Sequence, residues 1–78
     1  MRERKRCVVV TFHTTAEAMA TEQVCQKNSI AGKLISAPRT LSADCGIAWC
    51  GDAETLPALE RALSAAAVET AGIYELML

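Results

Sequence analysis

Pro38-Arg39-Thr40-Leu41-Ser42-Ala43-Asp44-Cys45-Gly46 joins two apolar, strand-like runs, Gly32-Lys33-Leu34-Ile35-Ser36 and Ile47-Ala48-Trp49-Cys50. The connection is longer than a tight hairpin needs, and long loops in small domains often carry function. Two strands therefore follow one another in mid-chain, and the elements on either side of them fix the fold.

Before this unit, Cys7-Val8-Val9-Val10-Thr11-Phe12 is a β-branched run that reads as a strand, apolar on both faces as a central strand should be. His13 ends it. Thr14-Thr15-Ala16-Glu17 then reads as a capping box, with Thr14 as cap and Glu17 reaching back. The helix continues to Asn28-Ser29. Its buried face is open between an Ala16, Ala20, Val24 stripe and an Ala18, Met19, Cys25 stripe, because alanine is too neutral to set the phase.

After the unit, Gly51-Asp52 reads as a turn, and Asp52 or Thr55 as the cap of a second helix with Pro57 in its first turn. Leu56, Leu59, Leu63 and Ala66 or Ala67 give that helix a buried stripe. Gly72 is expected to break it, and Ile73 to Leu78 forms the last strand. The order β-α-β-β-α-β predicts an α+β, ferredoxin-like sandwich, an antiparallel sheet with two helices on one face. The strand order expected is 4-1-3-2. It sets the end of the first strand, at Phe12 and His13, beside the start of the third, at Cys45 and Gly46.

Seventy-eight residues, 51% of them hydrophobic, read as one globular domain over 1–78, with 1–6 a frayed basic terminus. A net charge of −1 gives no support to nucleic-acid binding. No apolar run approaches a membrane span, and no export signal is recognised. The chain is therefore expected in the cytoplasm, with Cys7, Cys25, Cys45 and Cys50 mostly reduced. Their spacing contains no C-x-x-C pair.

The candidate reactive group is Cys45. A thiol reacts as thiolate, and cations and helix N-termini favour that form. Arg39 in the same loop, His13 at the adjacent strand end and the first helix's N-terminus would act this way; Asp44 would oppose them. Pro38 stiffens the loop entry, Ser42 fixes the loop or donates to a sulfur anion, and Gly46 allows an unusual backbone angle. Each also has a purely structural reading: a small buried cysteine, a strand-end histidine, a solvated arginine, a turn serine. Cys50, about 16 Å along an extended strand from Cys45, cannot bridge to it. It would lie near Cys7 at the opposite end of the sheet. Cys25 reads as helix packing.

The pattern Pro38-Arg39-x-x-Ser42-x-x-Cys45-Gly46-x-Ala48, preceded by Thr11-Phe12-His13 and an alanine-containing helix, resembles the small bacterial DUF3343 family of selenium/sulfur carrier-like proteins. The resemblance runs from the first strand to the last. It implies a cytoplasmic carrier, rather than a turnover enzyme, that holds a persulfide or selenopersulfide on Cys45. It calls for no metal or organic cofactor. Its partners would be a cysteine desulfurase-like donor and an acceptor enzyme of sulfur or selenium metabolism. Cys50 falls outside the motif. Two other functions fit the residues. The 38–46 loop could serve a non-enzymatic ligand-binding or regulatory module as an anion clamp, with homodimers formed through the sheet. Cys45 and His13 could also share a metal across a dimer, although two ligands per chain are few.

Overall fold

A computed structural model describes residues 5–38, 40–41 and 46–77. The elements are β1 (Arg6–Thr11), α1 (Thr15–Lys27), β2 (Gly32–Ser36), β3 (Ile47–Asp52), a 3-10 turn (Ala53–Thr55), α2 (Leu56–Ala65) and β4 (Gly72–Met77). The sheet runs β2-β3-β1-β4 with every neighbouring pair antiparallel. This is the α+β, ferredoxin-like arrangement expected from the element order.

Alternation along β1 separates the two faces. Val8, Val10 and Phe12 point toward the helices and pack with Trp49, Ala18, Cys25, Leu59 and Leu63 in one core. Val9 and Thr11 point the other way, yet they too are buried. Tyr74 is the direct partner of Val9, and its ring folds back over Gly72, the partner of Thr11. That ring covers part of the sheet's second face.

The largest core side chain, Trp49, sits in a slot that glycine makes. Gly32 and Gly51 are paired across β2 and β3. A Cβ built on Gly32 would stand 2.0 Å from Trp49 Cζ2, and one on Gly51 2.4 Å from Cη2. The indole lies along this glycine pair. Gly51 and Asp52 therefore belong to β3, where Gly51 pairs with both Val8 and Gly32, and the expected turn comes only at the 3-10 segment. Thr55 precedes α2 without a side-chain cap; its hydroxyl donates to the Asp52 carbonyl at 2.7 Å instead. Asp52 makes no side-chain cap either.

Both helices end in the same way, without glycine. After α1, Ser29 adopts φ 57°; its N–H donates to Gln26 O, and Ile30 N–H donates to Cys25 O. After α2, Ala67 adopts φ 56°, with Ala67 N–H to Ser64 O and Val68 N–H to Leu63 O. These are Schellman closures, each followed by an apolar residue that packs on the core, buried Ile30 and half-buried Val68. They stop α2 at Ala65, so Ala66 and Ala67 are exposed and lie outside its buried stripe, and Gly72 opens β4 rather than breaking a helix. The buried face of α1 is Ala18, Thr21 and Cys25, whereas Ala16 and Met19 are exposed. No helix among the described residues is long and apolar enough to cross a membrane.

Candidate functional site

The β2–β3 loop is closed at its base by Ala37 N–H donating to Gly46 O at 2.9 Å. Within it, Leu41 N–H donates to Pro38 O at 3.0 Å. Pro38 and Leu41 are half-buried. Gly46 has φ +73°, and a Cβ built there would meet nothing within 4 Å among the described residues. Glycine thus serves the backbone angle at the loop exit. Arg39, Ser42, Ala43, Asp44 and Cys45 lie outside the described residues.

The pairing of β1 with β3 ends at Thr11 opposite Ala48. Carried two residues further, the same register sets Phe12 opposite Ile47 and His13 opposite Gly46. The start of α1 follows at once, so the loop exit, the end of β1 and the helix N-terminus share one end of the sheet.

The capping box forms, with one shift. Glu17 N–H donates to Thr14 Oγ1 at 3.2 Å, as expected of the cap. The Glu17 carboxylate reaches past Thr14 and accepts from the His13 N–H at 2.8 Å. A carboxylate therefore stands beside His13 at the positive end of α1. It offsets part of the field that would favour an anion there. The sequence shows Glu17 as a capping residue; only the folded turn shows its charge at this end of the sheet.

The other cysteines separate clearly. Cys25 is 2% exposed in the core, and burial pushes its thiol above the ordinary range. Cys7 and Cys50 are half-buried on the face away from the helices, in the two central strands. Val9 pairs with Cys50 and Cys7 pairs with Asp52, so the two cysteines are diagonal neighbours. Burial is the main cause that raises the Cys50 thiol; the adjacent Cys7 thiol and Asp52 add to it, and Lys33, directly opposite Cys50, pulls the other way. Cys7 Sγ donates to Lys5 O at 3.5 Å. Burial thus disfavours the thiolate at Cys25 and Cys50, the form a carrier thiol needs.

An open cavity of about 720 Å³ lies at the opposite end of the sheet, lined by Lys5, Arg6, Asp52, Glu54, Glu75 and Met77. Its three carboxylates outnumber its two cations, so it offers no net positive charge to an anionic substrate.

The sequence profile of a family described as "Putative Se/S carrier protein-like" matches residues 7–75. The chain belongs to this family. The match spans β1 to β4 and takes in the 38–46 loop between β2 and β3 of this Se/S carrier-like protein. Neither the curated proteins nor the solved structures contain a significant match.

Proposed function

We propose that this family member carries sulfur or selenium on Cys45. The Cys45 thiolate attacks the outer sulfur of a donor enzyme's persulfide. A new S–S bond forms to Cys45, the donor's S–S bond breaks, and the donor cysteine leaves as thiolate. An acceptor nucleophile then takes the outer atom, and Cys45 returns to thiolate. No net redox change and no cofactor are required. Arg39, the N-terminus of α1 and His13 at the neighbouring strand end stabilise the anion. Pro38, Ser42 and Gly46 shape the loop.

The observation that supports this reading is the family match across residues 7–75, which takes in the loop motif. The closed loop base at Ala37 and Gly46, with His13 opposite Gly46 by register, is consistent with it. The donor is expected to be a cysteine desulfurase-like enzyme and the acceptor an enzyme of sulfur or selenium metabolism, both acting in the cytoplasm.

The test is intact-protein mass spectrometry after incubation with a cysteine desulfurase and cysteine, followed by peptide mapping. One added sulfur on Cys45, absent in Cys45→Ser, is the expected result. An adduct that persists in Cys45→Ser overturns the assignment. If no adduct forms, alkylation kinetics decide: a slow, unactivated Cys45 overturns the reading, and a fast one directs the search to another donor.

A further inference from the structure

The motif leaves Cys7 and Cys50 without a role. They sit side by side in adjacent central strands, on the sheet face that no helix covers, and both are partly open to solvent. We propose that Cys7 and Cys50 form a second thiol site, separate from Cys45, which binds one soft monovalent cation of the Cu(I) class between their sulfurs.

Three features carry the inference. The first is size. Diagonal neighbours on an antiparallel sheet have Cα atoms ~7–8 Å apart and Cβ atoms somewhat closer. A disulfide requires Cβ atoms roughly 3.5–4.5 Å apart, so closing one here would pull β1 and β3 out of register. A metal bridge fits better, since two metal–sulfur bonds of about 2.3 Å hold the sulfurs ~4.5 Å apart.

The second feature is ligand number. Zinc in a structural site takes four ligands, and among the described residues no group of three or more His, Cys, Asp or Glu side chains could hold a metal ion. Two thiolates suit a d10 monovalent ion, which accepts two soft ligands in a line, and soft thiolate ligands select Cu(I) over hard divalent ions.

Charge is the third. Binding replaces two S–H protons by one cation, Cu⁺ + 2 RSH → [Cu(SR)₂]⁻ + 2 H⁺, with no change in oxidation state. The product carries one negative charge. Lys33, the direct cross-strand partner of Cys50, stands where it can balance that charge. Asp52, the partner of Cys7, acts against it, so Lys33 matters to the site. The central strands hold both sulfurs before the ion arrives, which limits the ordering cost of binding.

The experiment is an anaerobic titration of the full chain with Cu(I), supplied as its acetonitrile complex, in competition with a chromogenic Cu(I) chelator. Cys45→Ser is the background, so any binding by the carrier thiol is removed beforehand. One equivalent is expected in that background. Adding Cys7→Ser or Cys50→Ser should weaken binding on the order of 100-fold or more. Full binding in either double variant, or none in the Cys45→Ser background, overturns the proposal. Circular dichroism checks that each variant is folded. If one is not, iodoacetamide labelling of the wild-type chain decides: Cu(I) should protect Cys7 and Cys50 together, and protection of one alone or of neither refutes the shared site.

Discussion

Placing a methyl group on Gly32 tests the central packing claim. Its Cβ would stand 2.0 Å from Trp49 Cζ2, 2.5 Å from Cε2 and 2.7 Å from Cη2. Carbon atoms pack at ~3.5–4.0 Å, so the indole must retreat by about 1.5 Å. Trp49 is 1% exposed and enclosed by the core, so the ring has no vacant space to move into. Overpacking of this kind costs ~1–3 kcal/mol. Alanine restricts the unfolded chain more than glycine does, which offsets roughly 0.4–1 kcal/mol. The expected net loss for Gly32→Ala is therefore about 1–2 kcal/mol, a sizeable part of a small domain's stability. At roughly 4–8 °C per kcal/mol, the melting temperature should fall by about 5–15 °C. The chain has one tryptophan, so fluorescence reports this site alone. Urea unfolding followed by Trp49 emission and, separately, by circular dichroism gives the loss. Repeating the substitution with Trp49→Leu should remove most of it, because the two positions then no longer meet. An unchanged midpoint and emission maximum in Gly32→Ala, or an equal loss in both backgrounds, would refute the glycine-slot reasoning.

Further substitutions test other features. Thr21 is buried, and its hydroxyl finds no hydrogen-bond partner among the described residues; Thr21→Val should raise stability by ~1 kcal/mol, read as a higher urea midpoint. Ala67 holds φ 56° at the end of α2, so Ala67→Gly should stabilise by roughly 0.5–1 kcal/mol by relieving left-handed strain, whereas Gly in place of helical Ala62 should destabilise by about 1 kcal/mol. Cys25 has its thiol raised by burial. The unfolded chain then ionises first, so this contribution to stability is full below the unfolded thiol value of ~8.5 and is lost as pH rises through the higher folded value. Melting temperatures at neutral and alkaline pH should fall more for the wild type than for Cys25→Ala, and equal slopes would contradict the burial argument.

The sequence by itself determined the order of elements and, through it, the sheet. A β-branched run, a capping box and two consecutive mid-chain strands are local signals, and β-α-β-β-α-β leaves few ways to cover one sheet face with two helices. The meeting of the β1 end with the loop exit was legible for the same reason: it follows from strand order alone. Cys45, Arg39 and Ser42, the residues at the centre of the proposed chemistry, rest on motif and family match.

Only the tertiary structure decided the rest. Alanine carries too little hydrophobic preference to phase α1, so the choice of Ala18, Thr21 and Cys25 came from packing against Trp49 and β1. Gly51-Asp52 reads locally as a turn, but Trp49 needs a flat, side-chain-free surface beside it, and that holds Gly51 in the sheet. Ser29 and Ala67 took the left-handed positions at the helix ends, where local rules favour glycine, with Ile30 and Val68 packed on the core just after them. The Cys7–Cys50 pair depends on register as well as strand order. A one-residue slip would have placed the two thiols on opposite faces of the sheet.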